Sequence, residues 1–216
     1  MTGFGKVNKN KNKKLDSFEN KSNQKIDQLS HLSKDLILSE AFNCHSQGNI
    51  SEAEKYYKYF LDKGYKDPRV FSNLGVIYQQ IGLKDKAIDQ YQKSIMSFPN
   101  SPEAYNNLGG LLNEIGKPKE AKYYLQKAID FKSNYVDAYF NLATVFKDLE
   151  EFKEAEINFK KVIQLQPNYL EAYQNLAIIL KKSDELNEAK RILKIAIALE
   201  PNYAIAYCNL GSILKD

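Results

Sequence analysis

The sequence predicts an all-α protein, a solenoid of stacked antiparallel helix pairs. Three observations predict it. The chain matches itself at a fixed offset of 34 residues. Within each copy the apolar residues fall three or four apart, as in Phe71, Leu74, Gly75 and Tyr78, which is one face of a helix. A second stripe follows, as in Ala87, Tyr91 and Ile95, and a glycine separates the two stripes in the early copies: Gly48, Gly82 and Gly116. Two helices of about a dozen residues joined by a tight turn satisfy all three.

The elements follow in order along the chain. Residues 1–33 are expected to be a disordered Lys/Asn-rich tail, with a helical start left open from about residue 25. Eight lysines against Asp16, Glu19 and Asp27 give residues 1–34 a net charge of 8 − 3 = +5. The remaining 23 basic and 24 acidic residues leave 35–216 near −1, although the whole chain carries +4. So polar a segment buries too little apolar surface to offset its ordering entropy. The cluster Lys6, Lys9, Lys11, Lys13 and Lys14 has two readings, a solvated tail or an arm touching nucleic acid or an anionic membrane surface. Its lack of arginine argues against nucleic acid, because bidentate phosphate and base contacts draw on Arg. The chain has only Arg69 and Arg191, its other 29 basic residues being lysines. An AT-rich coding sequence accounts for that bias.

Repeat units are expected at 34–67, 68–101, 102–135, 136–169 and 170–203, with the first helix of an incomplete sixth at 204–216. An aromatic opens the stripe at Phe71, Tyr105, Tyr139, Tyr173 and Tyr207. Asparagine recurs at Asn73, Asn107, Asn141, Asn175 and Asn209, and leucine follows it each time. A small residue comes next: Gly75, Gly109, Ala143, Ala177, Gly211. It and the recurring Ala53, Ala87, Ala121, Ala155 and Ala189 let two backbones approach, and bulk there costs about 1–3 kcal/mol. Pro99, Pro167 and Pro201 close three units, with Ser133 standing in the fourth. The unit at 34–67 is degenerate. It keeps Ala41, Gly48, Ala53 and Tyr57 but has Ile37 and Glu40 where the aromatic and leucine belong. Glu150–Glu151 and Ser183–Asp184 replace the interhelix glycine in the last two full units, and the pattern offers no account of how those turns reverse.

This pattern resembles the tetratricopeptide repeat family, whose consensus is W-x2-L-G-x2-Y, then A-x3-F, then P, at the same period. Phe71, Leu74, Gly75, Tyr78, Ala87, Tyr91 and Pro99 fill it, as do Tyr139, Leu142, Ala143, Phe146, Ala155, Phe159 and Pro167. Tyr or Phe always replaces the signature Trp. The resemblance covers 34–216 and implies a right-handed superhelix whose inner groove is lined by the first helix of each pair. It places Arg69, Ser72, Asn73, Val76 and Gln79 there, then Asn106, Asn107 and Asn113. Phe140, Asn141, Thr144 and Lys147 follow, then Gln174, Asn175, Ile178, Lys181 and Lys182. Asn73, Asn107, Asn141, Asn175 and Asn209 look like the asparagine ladder of O-linked N-acetylglucosamine transferases. Amides donate and accept, so such a ladder grips a peptide backbone without reading its side chains. The same asparagine also serves inter-repeat packing, and both readings stand.

The implied function is a protein-interaction scaffold that binds an extended peptide or a partner helix. The alternative is the recognition arm of a larger transferase, of which a truncated chain would have lost the catalytic half. The chaperone-binding members of the family clamp a C-terminal carboxylate with cations. Leu38, Ser72, Asn106, Phe140 and Gln174 at the matching positions argue against such a clamp here, though Lys181 and Lys182 suit an acidic ligand. Tyr207, Leu210, Ile213 and Leu214 keep the internal pattern to the end of the sequence. A patch at Leu210 and Leu214 is therefore expected to be exposed and to favour self-association.

No cofactor, metal or catalytic residue is expected. Phosphate-loop, H-E-x-x-H, G-x-S-x-G and C-x-x-C motifs do not occur. Cys44 takes an apolar position and is expected to be buried. Cys208 falls toward the groove, and His31 and His45 have no partner motif. Without an apolar leader or a span of about 18 apolar residues, the chain reads as cytoplasmic.

Overall fold

The computed structural model describes residues 32–215. The expected tail, the helical start near residue 25 and His31 lie outside the described residues, as does Asp216. Eleven helices and no strands occur among the described residues. The chain divides into two compact units, Met1–Lys66 and Asp67–Asp216.

Among the described residues the first unit contains one helix pair, α1 (Lys34–Ser46) and α2 (Ile50–Asp62). Ser33 caps α1 by accepting from the Leu36 N–H at 3.3 Å. Ile37, Ala41, Ala53, Tyr57 and Phe60 form its buried core. Phe42 and His45 pack edge-on against the Tyr57 ring. Tyr57, with a fully buried ring, shares a hydrogen bond with His45 Nδ1 at 3.2 Å. This unit ends differently from those that follow. Tyr65 stands where the closing proline falls elsewhere, and Gly64 at φ +77° ends α2 instead. Cys44 is half-buried, not the buried core residue expected of its apolar position. A helix pair with so few core side chains does not close over every apolar position.

The second unit holds α3 (Pro68–Gln80), α4 (Lys84–Ser97), α5 (Pro102–Glu114), α6 (Pro118–Phe131), α7 (Val136–Asp148), α8 (Phe152–Leu165), α9 (Leu170–Lys182), α10 (Leu186–Leu199) and α11 (Ala204–Lys215). Each helix packs on the next in sequence. The first helices of successive pairs also touch, α3 on α5, α5 on α7 and α9 on α11. This is the all-α solenoid of antiparallel helix pairs that the repeat predicts. Proline at the first helical position starts α3, α5 and α6, where its missing N–H has no intrahelical role.

Packing inside the pairs follows the repeat. Ala87, Ala121, Ala155 and Ala189 are all fully buried, as are Tyr91, Leu125, Phe159 and Leu193 one turn later. The small residue on the first helix faces that bulky one. A Cβ on Gly75 would lie within 2.7 Å of Tyr91 Cδ1, and one on Gly109 within 2.6 Å of Leu125 Cγ. Glycine is required at both positions by contact, not by backbone angle. The repeated aromatic has a polar role as well. Tyr173 donates its hydroxyl to the Pro167 carbonyl at 2.8 Å, and Tyr139 to the Ser133 carbonyl at 3.3 Å. A carbonyl is all this bond needs, so Ser133 replaces the closing proline without loss of it.

The turns lacking glycine resolve simply. Glu150 sits at φ +59° and Asp184 at φ +62°, beside Gly48, Gly82 and Gly116 at +74° to +79°. The hydrogen bonds are the same throughout: the next residue's N–H returns to the carbonyl five positions back. Leu83 reaches Tyr78 at 2.7 Å, Lys117 reaches Leu112 at 2.8 Å, Glu151 reaches Phe146 at 2.8 Å and Glu185 reaches Leu180 at 2.8 Å. One left-handed residue reverses the chain in every pair, whether or not it is glycine.

Candidate functional site

The candidate site is the row of polar side chains on α3, α5, α7, α9 and α11. The 34-residue period returns each helical position to the same face of the next first helix, so the side chains align in register. Asn73, Asn107, Asn141, Asn175 and Asn209 are all half-buried. They do not act as five equivalent rungs.

Three of the amides meet where α5 faces α7. Asn141 Nδ2 donates to Asn106 Oδ1 at 2.9 Å, and Asn106 Nδ2 reaches Asn107 Oδ1 at 3.5 Å. Asn106 is only 7% exposed, and burial in low dielectric makes its satisfied amide a rigid part of the junction. Between α7 and α9, Lys147 Nζ donates to Asn175 Oδ1 at 2.7 Å, while Asn175 Nδ2 returns to the Glu171 carbonyl at 2.8 Å. Asn209 Nδ2 is buried with no partner among the described residues.

A second regularity lies one residue before the end of α3, α5, α7 and α9. Gln79 donates to Glu114 at 2.6 Å, Asn113 to Asp148 at 2.8 Å and Lys181 to Ser212 at 2.8 Å. With Lys147 these bonds stitch each first helix to the next. Lys84 adds an ion pair to Glu114 at 2.8 Å. Lys84 foremost, then Gln79, holds the Glu114 carboxyl below the usual carboxylate range. Lys182 instead stands over the Phe152 ring, 5.3 Å from its centroid. Arg69 folds back on Asp67 with bonds of 3.0 and 2.7 Å.

Sequence reasoning missed a set of tyrosines that bear on the site. Tyr135, Tyr169 and Tyr203 each lie just before a first helix and reach the helix one repeat back. Tyr135 lies beside Asn106. The Tyr169 ring lies on Phe140, with centroids 5.0 Å apart and planes at 31°. Tyr203 donates to Gln174 Oε1 at 2.7 Å. Asn106, Phe140 and Gln174, expected to line the groove, thus each have one of these tyrosines beside them, bonded in the case of Gln174 and stacked in the case of Phe140. The signal was present, since these tyrosines also recur at an offset of 34.

Carboxylates flank them. Glu103, Asp137 and Glu171 sit exposed in the first turns of α5, α7 and α9, where they also complement the helix dipole. Burial first, then Asp137 and Glu103, pushes the Tyr135 hydroxyl up to about 12. Tyr169 is raised by burial first and then by Asp137 and Glu171, and Tyr203 by burial and then Glu171. These tyrosines stay neutral at ordinary pH, and Tyr203 donates its hydroxyl to Gln174.

Cys208 is exposed on α11. No group of His, Cys, Asp and Glu able to hold a metal ion occurs among the described residues. No helix among them is long and apolar enough to cross a membrane. Of the expected exposed pair on α11, Leu214 is 65% exposed while Leu210 is half-buried.

Known proteins share this architecture. Four family models, each described as a tetratricopeptide repeat, match residues 46–102, 102–135, 136–169 and 158–191, together more than half of the chain. No curated protein matches it. Among solved structures, a MamA protein is 27% identical with a TM-score of 0.68, over 79% of this chain and 93% of that one. YrrB, described as a TPR protein with an unusual peptide-binding site, is 20% identical with a TM-score of 0.67, over 84% of this chain and 94% of its own. PilF of Pseudomonas aeruginosa is 20% identical with a TM-score of 0.74, over 85% of each chain. Likeness to the last two concerns the fold.

Proposed function

Because the chain belongs to the tetratricopeptide repeat family, we propose that it is a non-enzymatic interaction scaffold that grips an extended peptide along α3, α5, α7 and α9. One observation carries the reading: amides stand at a constant register on these helices, and bonds between repeats hold Asn141 and Asn175 in place. Hydrogen-bonding groups fixed before binding lose little entropy when a ligand arrives. The peptide-binding site named for YrrB is consistent with this use of the fold.

The groove suits a backbone better than a terminal carboxylate. Its cations Lys147 and Lys181 already bond Asn175 and Ser212, and the exposed carboxylates Glu103, Asp137 and Glu171 would repel an anion. The recognition-arm alternative predicts the same repeats, so the four matched models do not favour it. A cytoplasmic place and a protein or peptide partner go with the reading, without a cofactor.

The test is the triple variant Asn107→Ala, Asn141→Ala, Asn175→Ala. Each lost hydrogen bond is worth about 0.5–1.5 kcal/mol, so affinity for any peptide bound by the parent should fall by about tenfold or more. Unchanged affinity, measured by titration calorimetry, would reject the backbone grip.

A further inference from the structure

Gly110 has no structural requirement to be glycine. It lies inside helix α5, where glycine costs helix stability relative to alanine. Its neighbour Gly109 must be small, because a Cβ there would press on Leu125. A Cβ on Gly110 would meet only Asn141 Nδ2, at 3.6 Å, an ordinary contact. The same register carries Val76, Thr144, Ile178 and Ser212 in the other repeats. The floor is therefore lowered at one position only, on the α5–α7 junction.

The amides around that position are polarised. Asn141 has given its Nδ2 to Asn106, and Asn107 has lent its Oδ1 to Asn106. Asn107 Nδ2 and Asn141 Oδ1, on half-buried side chains, have no partner among the described residues. One unused donor and one unused acceptor thus flank a glycine. In an extended chain the N–H and C=O of one residue point the same way, as when a strand exchanges both bonds with one partner residue.

Resting on the groove reading above, we propose that Gly110 is the seat for a peptide backbone. One residue of an extended partner segment lies over it, accepting from Asn107 Nδ2 with its C=O and donating from its N–H to Asn141 Oδ1. Gly110 is the specificity-determining residue, because any larger side chain would hold the partner backbone out of reach. The seated residue cannot be proline, which lacks the N–H.

Labelled dodecapeptides of randomised sequence, selected on the parent protein, supply the probe. The tightest one is measured against Gly110→Leu and Gly110→Ala by fluorescence anisotropy, with helix content followed by circular dichroism. Both substitutions raise helix propensity, and the added Cβ makes only an ordinary contact with Asn141 Nδ2, so helix content should hold. Gly110→Leu should weaken binding by about tenfold or more, the cost of two lost hydrogen bonds, and Gly110→Ala by less. N-methylating the peptide one residue at a time should reproduce that loss at a single position. If Gly110→Leu binds like the parent, or if every position tolerates N-methylation, the seat is refuted while the groove reading stands. If the parent selects no dodecapeptide, the groove reading falls and the seat falls with it.

Discussion

Glu150 and Asp184 show what one residue can carry. Each occupies the left-handed conformation that Gly82 and Gly116 take without strain. For a residue with a Cβ that conformation costs about 1–2 kcal/mol. The turn hydrogen bonds and the buried faces on either side outweigh this, so the reversal survives the substitution. We therefore expect Glu150→Gly and Asp184→Gly each to stabilise the fold by about 1 kcal/mol, and their effects to add because the two residues sit in different turns. Chemical denaturation of the two single variants and the double variant measures this. A loss of stability would show that the Glu150 or Asp184 side chain does more than tolerate its turn.

At the scale of elements, the tyrosines before α7, α9 and α11 decide how the first helices face one another. Tyr135 belongs to a connecting turn, yet it reaches Asn106 on α5 beside the exposed Glu103. Its folded-state pKa is raised, so the neutral form is favoured by folding. The stability this confers is fully present below pH 10, the ordinary tyrosine value, and is lost as pH rises through about 12. Tyr169, Tyr173 and Tyr203 are raised as well and add to the same alkaline loss. Melting temperature followed from pH 9 upward should fall, and Tyr135→Phe should make the fall shallower. A Tyr135→Phe profile parallel to the parent's would remove the hydroxyl from this role. Offset matching could have found these tyrosines. Their role was hidden because the contact joins residues 29 apart, between elements that periodicity places on a face but not against one another.

For the second unit as a whole, nearest-neighbour packing sets the order of opening. Interior pairs such as α5–α6 and α7–α8 have a helix pair on each side, whereas α11 packs only on α9 and α10. In such arrays stability is roughly a sum of unit and interface contributions. Amide protons of α11 should therefore exchange before those of α5 to α8 in native-state hydrogen exchange. Uniform protection across these helices would mean that the second unit opens as one cooperative block. Exposed Tyr207 and Leu214 on α11 agree with few neighbours there.

The sequence by itself determined the helices, their pairing and the buried faces. Those depend on local periodicity: alanine and glycine where helices touch, an aromatic or leucine opposite, a reversal every pair. It also placed the asparagines in one register. Only the tertiary structure decided which of their hydrogen bonds are used and which remain for a ligand. Asn107 and Asn141 occupy the same position of successive repeats, but Asn141 turns its Nδ2 to Asn106 and Asn107 its Oδ1. That polarity comes from the junction of two repeats. A hydrogen bond across it depends on side-chain orientation, which a 34-residue period repeats in position but does not specify.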